Sequence, residues 1–219
     1  MEKLIPAPWD LTGRGYIMFF KFPPQFIREF GFLDGRFQKG FHGKTGCIIF
    51  GDYQQSKVGP YQELFFVPGK IHYHHRNLYT ISKVFGSTAE SVENARQNWG
   101  IPKELAAFSV TQVTNNLENI KVTQNGVPVI DITIRTPDSG LPLPLNTFFM
   151  PFPLVQHMDG KTYYLNVKGH GSGRLGQILK VEVNPELFPN FAFFKHVAII
   201  KVNRFQVRFP VPKIKKEAD

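Results

Sequence analysis

Glycine and proline interrupt this chain throughout. There are 19 glycines and 17 prolines in 219 residues, alongside 22 phenylalanines. That punctuation favours many short strands joined by tight turns. Strands are expected at Gly15–Phe22, Cys47–Phe50, Tyr61–Val67, Ile71–His75, Ser109–Val113, Ile120–Thr123 and Val129–Thr136. Four more are expected at Lys161–Lys168, Gln177–Val183, His196–Val202 and Phe205–Val211. Val127, Val129, Asp131 and Thr133 alternate against Ile130, Ile132 and Ile134, the period of a strand with two unlike faces. Asn125-Gly126 marks a hairpin, Pro68-Gly69 a turn, and Gly40–Gly46 a longer turn. The fold class expected is mainly β with minor α.

Two helices are expected. Pro24 can start a short one over Gln25–Phe30. The stronger runs Thr88–Asn98, with Ser87 as its cap and Glu90 three residues on, in capping-box form. Gly100 and Pro102 stop it. The stretch Leu141–Pro153 carries Pro142, Pro144, Pro151 and Pro153 and is expected as a packed loop, too apolar for a flexible linker. Residues 1–212 are expected as one domain and 213–219, KIKKEAD, as a solvated tail.

Composition narrows the function classes. Hydrophobic residues at 42% and charged residues at 20% describe a folded globular chain. No apolar run approaches the ~18 residues of a membrane span. The opening MEKLIPAPWDLTGRG lacks the apolar region of a signal peptide, so a cytoplasmic location is expected. The single cysteine, Cys47, excludes an internal disulfide and a multi-cysteine zinc site. Twenty-six basic against 17 acidic residues give a net charge of +9, which suits a polyanion or a small carboxylate.

Several motifs dissolve on inspection. Gly171-Ser172-Gly173-Arg174-Leu175-Gly176 fits G-x-G-x-x-G, but Gln177–Val183 alternates like a strand, so a glycine hairpin is expected instead of a dinucleotide loop. Gly43-Lys44-Thr45 fails as a P-loop because Gln38 stands where the first glycine belongs. His72, His74 and His75 have no second ligand cluster and are expected as a polar strand face, so no metal is assigned. Arg204, Gln206 and Arg208 alternate against Phe205, Val207 and Phe209, an amphipathic strand with no nucleic-acid motif beside it.

One constellation carries chemistry. Lys103 follows a capped helix, Gly100 and Pro102, among apolar Ile101, Leu105 and Phe108. Burial disfavours the ammonium form of an amine, and a lysine so placed can attack a carbonyl. An ordinary surface lysine after a helix fits the same residues.

Three segments resemble the acetoacetate decarboxylase-like family, in the same order along the chain. Trp99-Gly100-Ile101-Pro102-Lys103 with Leu105-Ala106 is similar to W-G-x-P-K-K-L-A, whose first lysine forms the Schiff base. Gly59-Pro60-Tyr61-Gln62-Glu63 is similar to the G-x-Y-x-E segment that carries the active-site glutamate. Arg14-Gly15-Tyr16 is similar to the R-x-Y segment that carries the active-site arginine. The region from Gly173 to Pro212 follows the family's order of strands and loops less specifically. The resemblance implies an antiparallel β-barrel or sandwich with a few peripheral helices, commonly homo-oligomeric and needing no cofactor. It implies a β-keto acid, or a related oxo acid, as the small-molecule partner. Lys103 and Glu63 would be catalytic, and Arg14 and Tyr61 would bind substrate. Decarboxylation follows the imine, and aldol or dehydration chemistry can use the same imine.

Two departures stand out. Glu104 occupies the place of the second lysine, and Gln97 follows Arg96 where a glutamate is usual. Adjacent strand residues point to opposite faces, so Glu104 is expected outside the pocket that desolvates Lys103. The same departures also suit a small-molecule-binding barrel without turnover.

Overall fold

The computed structural model describes residues 4–43, 45–139, 141–149 and 151–216. Its central strands are apolar on both faces, the pattern of a sheet covered on both sides. In β1 (Trp9–Lys21), Tyr16, Met18 and Phe20 pack into one core, while Trp9 and Leu11 pack into a second. β2 (Thr45–Gln55) divides likewise, Ile48 and Phe50 against Cys47 and Tyr53. β3 (Tyr61–Val67) sets Leu64 and Phe66 against Tyr61, Phe65 and Val67. Two hydrophobic cores therefore lie back to back, with these strands as the partition.

The other strands are β4 (Lys70–Tyr73), β5 (Arg76–Tyr79), β6 (Lys83–Gly86), β7 (Lys103–Leu105), β8 (Ala107–Thr114), β9 (Leu117–Gln124) and β10 (Val127–Arg135). They are followed by β11 (Leu143–Asn146), β12 (Phe152–Met158), β13 (Lys161–Val183), β14 (His196–Phe209) and β15 (Lys213–Lys216). The main path runs β4-β5-β12-β13-β14-β1-β2-β3-β6-β7. Its β7 end runs on into β8, and β8, β9 and β10 lead back to β13, in a sandwich-like architecture. The hairpins of β8, β9 and β10 cover the first core, with Ile120, Val122, Ile130 and Ile132 inside. Two short helices, α1 (Pro24–Phe30) and α2 (Gly35–Gln38), add Ile27 and Phe37 there. The second core is closed by α3 (Ala89–Trp99), whose Ala95 and Trp99 meet Trp9 and Phe209, and by Leu154, Leu165 and Val167. No helix among the described residues is long and apolar enough to cross a membrane.

Several expected breaks are absent. The Gly171–Gly176 hairpin does not form: Lys161 to Val183 is one strand of 23 residues. None of Gly169, Gly171, Gly173 and Gly176 takes a positive φ, which a tight hairpin needs. These glycines serve close approach instead. A Cβ on Gly171 would stand 2.7 Å from the Arg204 carbonyl oxygen, and one on Gly173 would stand 2.6 Å from Ile200 Cγ2. The two strands expected between His196 and Val211 are likewise one, bent where the register shifts on both β1 and β13.

Other boundaries move. His74 and His75 leave the strand to form the β4–β5 turn, both with positive φ. Within Leu141–Pro153 the chain is not a packed loop: β11 pairs with β13, and Leu141, Phe148 and Phe149 are exposed. Residues 213–216, expected as tail, pair with the start of β13 as β15, and residues 217–219 lie outside the described ones. Lys44 of the Gly40–Gly46 turn lies outside them too.

The cap of α3 is Thr88, whose Oγ1 accepts the Ser91 N–H at 3.2 Å. Ser87 Oγ instead accepts the Gln62 N–H at 2.8 Å and ties the helix entry to β3. At the other end Gly100 is left-handed and donates its N–H to Ala95 and Arg96. Asn94 and Asn98 hold the backbone of Ile5 and Ala7 against the helix. Thr88→Ala removes the cap and is expected to lower stability by about 1 kcal/mol. Urea unfolding with an unchanged m-value checks this, and an unaltered midpoint would remove Thr88 from the role.

Candidate active site

The left-handed Gly100 turns the chain out of α3, and buried Ile101 with Pro102 leads it into β7. There it pairs parallel with β6, Val84 beside Lys103. Arg96, in the last helical turn, donates to the Lys103 carbonyl oxygen at 3.4 Å. Helix and strand therefore fix the Lys103 backbone from both sides. Leu105, expected among its apolar neighbours, is exposed.

The Lys103 side chain runs over Gly86. A Cβ on that glycine would stand 2.8 Å from Lys103 Cδ, so only glycine leaves the path open. Its Nζ reaches Glu63 Oε2 at 2.7 Å, with the two side chains 4% and 5% exposed. The ammonium also lies over the Tyr61 ring, 4.8 Å from its centroid. Glu63 sits in a ladder row that reads Gly15, Gly51, Glu63, Gly86 across β1, β2, β3 and β6. Three of those four positions carry no side chain, which leaves room for the pair. Tyr53 stacks on Tyr61 with centroids 4.7 Å apart. Burial, and then the charge of Glu63, push both phenols well above their ordinary value, so both remain neutral hydroxyls.

Glu104 diverges from Lys103, as strand geometry requires. It accepts hydrogen bonds from Lys83 and from Gln124. Burial alone would raise its carboxyl, but those bonds and the charges of Lys83 and Arg96 outweigh it and hold it below the usual carboxylate range. Its ion pair therefore stabilises the fold at neutral pH, and that contribution is lost as pH falls through the lowered value.

Arg14 is not brought to the pair. It shares a face with Tyr16 and with its cross-strand partner Asp52, the first-core side of the partition. Its Nε donates to Asp52 at 3.0 Å and its Nη1 to the buried Glu118 at 2.8 Å. Burial would lower the Arg14 guanidinium, but Glu118 and Asp52 raise it. The structure thus brings together Lys103, Glu63 and Tyr61 and leaves Arg14 across the sheet.

A cavity of about 550 Å³ lies on the second-core side. Gly51, Tyr53 and Phe65 line it, whereas Lys103 and Glu63 do not. Sequence reading missed Tyr53, Gly51 and Gly86. The two glycines stand in β2 and β6, and strand register alone aligns them with Glu63. Among the described residues no group of three or more His, Cys, Asp or Glu could hold a metal ion.

Comparison with known proteins gives the fold a context. No protein-family model and no curated protein matches the sequence. Solved structures do match over nearly the whole chain. The acetoacetate decarboxylase of Legionella pneumophila subsp. pneumophila str. Philadelphia 1 is similar with a TM-score of 0.76 at 14% identity, covering 98% of this chain and 90% of that one. An acetoacetate decarboxylase-like enzyme from Sphingomonas wittichii RW1 is similar with a TM-score of 0.67 at 10% identity, covering 98% and 95%. The enduracididine biosynthesis enzyme MppR, complexed with pyruvate, is similar with a TM-score of 0.66 at 11% identity, covering 96% and 91%. At such identities the likeness is one of fold.

Removing one partner of a desolvated ion pair strands the other, at a cost of about 3–5 kcal/mol. Lys103→Met and Glu63→Leu are each expected to destabilise by that order in denaturant titrations. The double variant should recover most of the loss. Small, additive single effects would mean that the pair is hydrated.

Proposed function

We propose that this chain is a Schiff-base enzyme in which Lys103 condenses with the carbonyl of an oxo acid. The observation that carries the reading is the buried 2.7 Å contact between Lys103 Nζ and Glu63 Oε2. An ammonium cannot attack a carbonyl, and here the acceptor for its proton is already in hydrogen-bond reach. The proton passes to Glu63, the amine lone pair forms the new C–N bond, and the carbonyl π pair moves to oxygen, which takes a proton from the attacking nitrogen to become a hydroxyl. Glu63 then returns the proton to the departing hydroxyl as water leaves, giving the imine.

The protonated imine draws electrons from an adjacent bond. With a β-keto acid that bond is the one to the carboxylate. Carbon dioxide leaves, its bonding pair forms an enamine, and protonation at carbon followed by hydrolysis frees the ketone and the amine. Low-dielectric surroundings favour the step because carboxylate charge disperses in it. Tyr61 borders the site as a neutral hydroxyl and ring. The shared fold with an acetoacetate decarboxylase and with a pyruvate-bound enzyme supports the assignment to oxo acids.

A second reading is aldol or dehydration chemistry from the same imine. One observation favours it: Arg14, the cation expected to hold a carboxylate, is occupied by Asp52 and Glu118 on the other face. Borohydride added with acetoacetate or pyruvate is expected to leave a mass adduct on the Lys103 peptide. Carbon dioxide release separates the two readings. An adduct on another lysine, or none across a broad oxo-acid panel, discards both and leaves a binding protein without turnover.

Glu104→Lys tests the activation route. Because Glu104 is turned toward Lys83 and Gln124, the pH profile of imine trapping should move by only a few tenths of a unit. A marked shift with new decarboxylation would mean that position 104 acts on the amine directly.

A further inference from the structure

The cavity beside the pair is long. Cys47, Ile49, Gly51 and Tyr53, successive residues on one face of β2, all line it. Six residues of strand cover about 20 Å. Opposite them stand Phe152, Val167 and Val207. Burial pushes the Cys47 thiol up to about 12, so it is a neutral wall. The cationic lining residue Lys70 is exposed, with its ammonium over the ring of Tyr79, which lines the cavity too. The trough opens to solvent, and its wall is mostly apolar. A volume of about 550 Å³ falls in the range that houses a whole organic ligand.

The inner end of this trough adjoins the amine. Gly51 is the ladder neighbour of Glu63, and Phe65 is two residues on from it on the same face. Tyr53 stacks on Tyr61, the ring beneath Lys103 Nζ. Two rings in turn, Tyr53 and then Tyr61, separate cavity from nucleophile. We infer that the carbonyl compound condensing with Lys103 carries an extended apolar chain, and that the trough along β2 holds it. A turn of both the Tyr53 and the Tyr61 side chains admits the carbonyl to Nζ. This inference rests on the Schiff-base reading of Lys103 and names the substrate class for it: a long-chain or aryl-alkyl oxo compound, not a three- or four-carbon one.

A homologous series tests it, running from pyruvate to 2-oxododecanoate with the matching 2-alkanones. Borohydride trapping on the wild type reads imine formation. Calorimetry on the Lys103→Met/Glu63→Leu double variant reads binding without it. The half-saturating concentration is expected to fall about three- to fourfold per added methylene, in both readouts. Val207→Trp, which fills the trough, should flatten the series. Trapping that is indifferent to chain length overturns the inference and leaves the imine reading standing. Chain-dependent binding with no adduct on Lys103 overturns both and leaves a site for apolar ligands alone.

Discussion

A lysine ammonium and a glutamate carboxylate lie 2.7 Å apart with almost no contact with water. Either charge alone in that place costs several kcal/mol, and together they remain poor value against two apolar side chains. The surrounding structure is arranged so that neither is alone. β3 supplies the carboxylate and β7 the amine, and β6 runs between them with Gly86 at the crossing. Gly15 and Gly51 extend the bare row on the far side of Glu63. The Tyr61 ring gives the ammonium an electron-rich face instead of water. A chain needing only stability would place leucine and methionine here, so the arrangement points to chemistry.

The partition between the two cores separates two charged clusters. Arg14, Asp52 and Glu118 lie on one side, and Lys103 and Glu63 on the other. Neighbouring strand residues decide which side each joins. Gln62 lies toward Asp52 while Glu63 lies toward Lys103. Glu118, on the hairpin that covers the first core, meets Arg14 from above the sheet. A strand slip of one residue would carry a charge into the wrong core, so both clusters also pin the register.

Much of the β architecture was legible, because alternation and Asn-Gly or Pro-Gly turns are local signals. Tyr61–Val67 and the β9–β10 hairpin at Asn125-Gly126 appear as read. What misled was glycine with two physical uses. At Gly126 it permits a positive φ; at Gly171 and Gly173 it permits another strand to come close, and the sequence looks alike in both. Lys103 and Glu63 stand 40 residues apart, and no spacing rule joins them. They were found through segments that resemble a family. Their contact is a product of sheet register. Arg14 alternates regularly with Tyr16 along β1, but which core that face meets is set by how the sheet is covered, and that was illegible in the sequence.

The glutamate at position 104 becomes intelligible on these terms. A cation next to a reactive amine helps by making a second positive charge unwelcome. Strand geometry prevents position 104 from giving that help, since it faces Lys83 and Gln124 whatever its charge. Position 104 is then free to serve the fold, and an acidic residue there satisfies the otherwise unpaired Lys83. On the Schiff-base reading, the means of freeing the amine lies across from it in Glu63. On that reading, an apolar chain held in the trough beside β2 would bring the carbonyl there and exclude water in the same motion.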